Sequence, residues 1–257
     1  MKHKLLIILS LLDVLTIGTS YADGILSEPP SLSSWRPVIG AAGGIAVSTN
    51  LGQYQAFPIQ NPVTDEYYNY SPNSRTQTQG MFEVFLGVER AIISTWLLQG
   101  GLAYSQTGSY QAKGSFIQGA DASSSDQYTY QYNVTARTLF AEAKLMRPYH
   151  DKFYPYLLGG IGGSFNKASN FSTNVSPFLT FTRSYQNHTS SAFAYKVGVG
   201  IDMDVVQHAR LGLTYRFSGL GRADLGSATI NGTAVSATLN QSSLFANEIL
   251  IQLTYVV

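Results

Sequence analysis

The chain has 257 residues, no cysteine and a formal net charge of +1, and 12% of its residues are charged. That is about half the roughly 25% of an average soluble domain, while Tyr, Phe and Gly are abundant. The missing thiols exclude a disulfide framework, a cysteine nucleophile and a thiolate metal site; the absence of a basic stripe argues against nucleic acid.

The N-terminus reads as a secretory signal peptide over residues 1–22. Lys2 and Lys4 precede the apolar run Leu5 to Leu12, which Asp13 interrupts, and Ser20-Tyr21-Ala22 offers a small-x-small cleavage site. The mature chain, residues 23–257, then carries fourteen basic and fourteen acidic residues and is expected to form one domain. No apolar run long enough for a transmembrane helix follows. If this chain spans a membrane, it does so as a closed barrel.

Period-2 alternation marks the strands in chain order. Pro37 to Ser48 alternates weakly. Phe82, Val84, Leu86 and Val88 alternate with Met81, Glu83, Phe85, Gly87 and Glu89. Trp96, Leu98, Leu102 and Tyr104 share a face, as do Leu139, Ala141, Ala143 and Leu145. Phe153 to Phe165, FYPYLLGGIGGSF, is too apolar for a loop and too rich in glycine for a helix. Phe193, Tyr195, Val197, Val199, Ile201 and Met203 alternate with Lys196, Gly198, Gly200 and Asp202. Leu211 to Phe217 and Leu244 to Val257 complete eight strands. Short turns are expected at Arg90-Ala91-Ile92-Ile93, Pro148 to Lys152 and Asp204 to His208. Long polar loops are expected at 49–79, 106–127, 167–190 and 219–241. Eight strands with short turns on one side and long loops on the other suit an outer-membrane barrel with both termini in the periplasm.

A soluble lipocalin-like barrel also alternates, but with its apolar face inward. The aromatics decide between the two. Trp96, Phe153 and Tyr255 fall near the short-turn ends; Tyr104, Phe165, Phe193, Phe217 and Phe245 fall near the long-loop ends. At about 3.3 Å per residue and a tilt near 40°, the two sets lie roughly 20–25 Å apart, the spacing of two girdles around an apolar band.

The segments PYLLGGIGGSF, AYKVGVGIDMDV and LGLTYRFSGLG, followed by an alternating apolar C-terminal strand, resemble the small eight-stranded outer-membrane barrels of the OmpA-barrel and opacity-protein type. The resemblance implies an all-β, antiparallel up-and-down transmembrane barrel in a Gram-negative envelope, with outer-membrane lipid, lipopolysaccharide and the barrel-assembly machinery as partners. The family often ends in Phe, whereas this chain ends Tyr255-Val256-Val257, so Tyr255 is expected to serve in assembly. No peptidoglycan-binding segment follows the barrel in this sequence.

With the apolar face outside, Glu83, Glu89, Glu142, Lys144, Lys196, Asp202, Arg210, Arg216 and Glu248 point inward. Glu83, Lys196, Arg216 and Glu248 are expected in a layer toward the long loops; Glu89, Glu142, Lys144, Asp202 and Arg210 in a layer toward the short turns. Both mix signs, as buried charges must. An eight-stranded interior is only wide enough for its side chains, so these residues are expected to plug the lumen. A narrow gated pore is the alternative.

His188-Thr189-Ser190 resembles the His-x-Ser pair of outer-membrane lipid A deacylases, in which a carboxylate orients the His and the His activates the Ser. Asp202, the acid on that strand, is twelve residues and so roughly 40 Å away when extended. A lipid A-modifying enzyme is therefore the lesser alternative, and no catalytic residue is assigned. No metal ligand set or cofactor is expected: the four His are scattered, and the glycine pairs lie inside strands instead of at strand-to-helix turns. Tyr67, Tyr68 and Tyr70 cluster in the first long loop, and Tyr128, Tyr130 and Tyr132 close the second; they are expected either to extend the upper aromatic girdle or cap the barrel, or to be candidates for surface recognition of a host or neighbouring cell. The expected role is a non-enzymatic surface protein with envelope and adhesin-like functions.

Overall fold

The computed structural model describes residues 34–49, 51–60, 65–73, 76–93, 95–119, 126–150, 152–175, 182–230, 233–235 and 238–257. The signal peptide lies outside the described residues.

The strands in chain order are β1 (Arg36–Ser48), β2 (Gln55–Gln60), β3 (Asp65–Pro72), β4 (Gln77–Ile93), β5 (Trp96–Thr107), β6 (Tyr110–Gly119), β7 (Asp126–Met146), β8 (Phe153–Thr173), β9 (Ser184–Tyr185), β10 (His188–Val206), β11 (Ala209–Asp224), β12 (Ala228–Ile230), β13 (Thr233–Val235) and β14 (Asn240–Val256). Antiparallel pairing runs β1-β4-β5-β7-β8-β10-β11-β14 and returns to β1, where Val38 faces Val256 and Val47 faces Asn247. A closed ring leaves no free edge. The even strand number puts the start of β1 and the end of β14 on one rim with the three short turns.

The turn between β7 and β8 falls where the sequence places it and has a left-handed histidine, His150 (φ 50). The turn after β10 is shorter than expected, because β10 runs through Asp204 to Val206, and it holds a second left-handed histidine, His208 (φ 69). The first turn is displaced. Arg90 to Ile93 stays in β4, paired with β5 through a bulge between Ala91 and Ile93, and β5 begins at Trp96. Ala91 is buried there and alternation continues, so the ladder extends past the charged pair Glu89-Arg90.

The larger correction concerns the four polar segments. They are not mainly loops. β2 and β3 form a hairpin, β3 pairs β6, and β6 pairs the first half of β7. β7 and β8 pair from Met146–Tyr156 up to Tyr130–Thr173, far beyond the segment Leu139–Met146 read from sequence. β9, β12 and β13 make a small second sheet. These distal strands alternate too, but with apolar residues inside and polar residues outside, the reverse of the pattern used to find the others.

The ring wears an apolar outer band. Leu86, Leu102, Leu157, Ile161, Val197, Leu213, Ile251 and Leu253 are all exposed on it. Glycine suits close approach where neighbouring backbones crowd: a Cβ on Gly162 would lie 2.0 Å from the Leu139 carbonyl oxygen, and one on Gly44 would lie 1.9 Å from that of Ile249.

Candidate functional site

Two layers of ion pairs cross the interior of the ring. In the layer toward the distal strands, Arg216 on β11 donates from Nη1 to Glu83 Oε1 on β4 at 2.7 Å and from Nε to Glu248 on β14. Lys196 on β10 donates to Glu83 Oε2 at 2.9 Å and pairs with Glu142 on β7. In the layer toward the short turns, Arg210 forks onto Glu89 at 2.5 and 3.3 Å and reaches Asp204 at 3.0 Å. Lys144 donates to Gln252 at 2.7 Å and lies 3.8 Å from Asp202. All nine charged residues read from the sequence are buried. Taking such charges out of water costs several kcal/mol each, so they persist only because each finds a partner of opposite sign. Aromatic rings cover the cations: Lys196 sits 4.7 Å from the Phe140 centroid, Lys144 4.5 Å from Tyr156 and Arg210 4.3 Å from Tyr154. Below them Ala91, Leu97, Met146, Tyr154, Tyr156 and Leu158 form an apolar cluster at the short-turn end.

Glu142 belongs to the distal layer, against expectation. The register explains it: Glu142 faces Gly160, and Gly160 faces Lys196. Gly160 has no side chain to separate them, and a Cβ there would lie 3.1 Å from Lys196 Cε. Lys196 therefore crosses β8 to Glu142. Counting residues along each strand ignores this stagger between neighbours.

Sequence reasoning missed three members. Arg36 pairs with Glu89, Asp204 with Arg210 and Gln252 with Lys144. Arg36 lies one residue ahead of the first strand as read, and Asp204 was assigned to a turn, although its alternation with Asp202 was available.

Beyond the ring the interior becomes aromatic. Tyr70 stacks on Phe116 at 5.1 Å and meets Phe57, Tyr130 and Tyr185 edge-on at 5.8, 5.2 and 6.2 Å. Tyr68, Tyr70 and Tyr130 are buried, as are Tyr110 and Tyr132, and Tyr128 is half-buried against Phe116. This corrects the surface-recognition reading and agrees with the alternative that they cap the barrel: they sit on strands, with the described rings inside, and form the core of a cap. The Tyr67 side chain lies outside the described residues. Burial pushes the Tyr130 phenol up to about 12, helped by Tyr185, and raises Tyr70 and Tyr132 as well. The Arg183 guanidinium is buried between Phe57 and Tyr68, 4.8 and 4.9 Å from their centroids.

The expected girdle residues all face outward. Tyr104, Phe153, Phe165, Phe193, Phe245 and Tyr255 are exposed, and Trp96 and Phe217 are half-exposed. The distal set does not mark strand ends, because β8 continues eight residues past Phe165. Phe217 stacks on Phe245 at 5.7 Å, and Arg147 lies 5.9 Å from the Trp96 ring. At the remaining candidate site, Ser190 is buried and its Oγ accepts the backbone N–H of Asp224 at 2.9 Å, while His188 is exposed. β10 is continuous from His188 to Val206, so Asp202 lies toward its far end.

The family model described as outer membrane protein beta-barrel domain matches residues 39–242. The chain belongs to that family. As an outer-membrane β-barrel it resides in the bacterial outer membrane, and its exposed apolar belt faces lipid. Among solved structures, Neisserial surface protein A is 12% identical, with 87% of this chain and 99% of that chain covered and a TM-score of 0.40. Ail, the attachment invasion locus protein of Yersinia pestis, solved with the heparin analogue sucrose octasulfate, is 12% identical over 86% of this chain and 99% of its own, with a TM-score of 0.38. The outer membrane protease OmpT of Escherichia coli is 10% identical over 89% and 98%, with a TM-score of 0.43. No curated protein sequence matches the chain. A fold by itself assigns no chemistry.

Proposed function

We propose that this outer-membrane barrel is a non-enzymatic surface protein with a plugged lumen, oriented with its termini and short turns in the periplasm and its distal strands outside the cell. Envelope structure and adhesin-like contact are then carried by the outer surface of the distal strands.

The buried ion-pair layers carry the reading. Arg216 bridges Glu83 and Glu248 from three strands, and Lys196 joins Glu83 to Glu142. Swapping these partners to open a water path would leave charges buried and unpaired, at about 3–5 kcal/mol for each broken pair. The aromatic cap adds a second obstruction above them. Recognition moves accordingly from the tyrosines to exposed polar residues of the cap, such as Lys113, Gln131 and Asn174. The test is single-channel recording of the refolded mature protein in planar bilayers. A silent baseline after verified insertion is expected; discrete openings would overturn the plug in favour of a gated pore.

A further inference from the structure

One wall of the barrel, formed by β7, β8 and the neighbouring β6, carries charge on the outside. Leu139 on β7 and Phe165 on β8 are the last exposed apolar residues before the distal region. One outward step beyond them stand Arg137 and Lys167, both exposed. Arg137 faces Phe165 and Lys167 faces Thr135, so the cations are diagonal neighbours on one face, roughly 7–8 Å apart at the backbone. Neither has a carboxylate partner among the described residues. Arg222 on β11 is different: its guanidinium has a carboxylate neighbour, Asp224, at 3.5 Å.

The surface on either side of the cations differs in kind. Toward the membrane, Ala141, Ala143, Gly159 and Ile161 line a shallow, mainly apolar depression of about 620 Å³, whose lining also includes the paired Glu142 and Lys196. Away from it, a groove of about 670 Å³ is lined by Ser71, Lys113, Ser115, Gln131, Ser172 and Asn174. Its floor is held by reciprocal bonds: Asn174 Oδ1 accepts the Thr129 N–H at 2.6 Å, and the Asn174 N–H reaches the Thr129 carbonyl at 3.1 Å. No described side chain lining this groove is a carboxylate.

We propose that this wall is a specific binding site for a phosphorylated glycolipid of the outer leaflet, lipopolysaccharide. The order along the wall matches the order of chemistry in such a molecule. Acyl chains lie over the apolar depression, phosphate at the membrane boundary meets Arg137 and Lys167, and the sugar chain runs into the hydroxyl- and amide-lined groove beside Lys113. Arginine gives phosphate two parallel hydrogen bonds and lysine a point charge, and cations at a membrane surface add attraction for anionic lipid. The proposal rests on the outward orientation of the distal strands given above. Its test in detergent solution does not depend on that orientation, so the two can fail separately.

The experiment titrates the refolded barrel with purified bisphosphorylated lipid A and counts bound lipid by native mass spectrometry. The arms are wild type, the Arg137→Gln/Lys167→Gln double variant, Lys167→Gln alone and Arg222→Gln. Folding is checked by heat-dependent gel mobility. Wild type and Arg222→Gln are expected to bind alike, and the double variant about tenfold or more weaker. Dephosphorylated lipid A is expected to bind wild type as weakly as lipid A binds the double variant, an arm that needs no variant to fold. Equal binding of phosphorylated and dephosphorylated lipid A would overturn the proposal. So would phosphatidylglycerol competing as well as lipid A, which would mean attraction for any anionic lipid, or undiminished binding by the double variant.

Discussion

The membrane-spanning ring and the distal cap are built from the same strands, yet they are inverted in polarity. β7 shows it within one element. Tyr130, Tyr132, Val134, Ala136, Thr138, Phe140, Glu142 and Lys144 all point inward, and inward the strand passes from aromatic to charged. Outward it passes from Gln131 and Arg137 to Leu139 and Ala141. The pleat never changes phase; the solvent does. Where lipid surrounds the barrel, apolar side chains gain nothing by turning inward, and the polar ones must hide and pair. Where water surrounds it, ordinary hydrophobic burial returns and rings fill the interior. The crossover at Arg137-Thr138-Leu139 is thus a membrane boundary written in one strand.

The comparison can be broken in four places. The largest effect is expected in the ring. Arg216→Met leaves Glu248 buried without its cation and should cost about 3–5 kcal/mol in denaturant unfolding from lipid vesicles; a loss below about 1 kcal/mol would mean the layer is hydrated. Next is the outer surface. Leu157→Arg, on the lipid belt, should cost about 2–4 kcal/mol, while Thr129→Arg, on the same outward face of the cap, should stay within about 0.5 kcal/mol. Similar costs for both would erase the distinction.

A third test uses pH on the cap. The folded Tyr130 phenol is raised to about 12 against roughly 10 unfolded. A raised folded value means that its contribution is complete below pH about 10 and is lost as pH climbs through about 12. Protease susceptibility of the distal strands, followed with tyrosinate absorbance, should rise across that window while the ring stays protected. The smallest effect concerns Tyr132, whose buried hydroxyl has no hydrogen-bond partner among the described residues. Tyr132→Phe removes an unmet polar group and should stabilise the cap by up to about 1 kcal/mol, read as slower proteolysis.

The inversion also explains what the sequence disclosed and what it hid. A search for apolar faces pointing outward located all eight ring strands, because Phe82, Val84, Leu86 and Val88 or Phe193 to Met203 carry that signal plainly. The same search passed over Tyr68-Asn69-Tyr70, Tyr110-Gln111-Ala112 and Tyr128 to Val134, which alternate in the opposite sense and look like polar loops by composition. Charged lumen residues were legible because a lone Lys196 or Glu142 inside an apolar strand has nowhere else to go. Their pairing was not, since it depends on the stagger that sets Glu142 beside Gly160 and Lys196. Arg36 and Asp204 were hidden at strand ends that extend further than alternation alone indicates.

The cysteine-free chain permits the most direct test of the inversion. Single cysteines are introduced at outward positions of β7 as Gln131→Cys, Thr135→Cys, Ala141→Cys and Ala143→Cys, and the folded protein in lipid vesicles is treated with a membrane-impermeant maleimide. Rapid labelling of the first two and protection of the last two is the predicted result. Labelling at Ala141→Cys as fast as at Thr135→Cys would contradict a membrane boundary at Arg137-Thr138-Leu139.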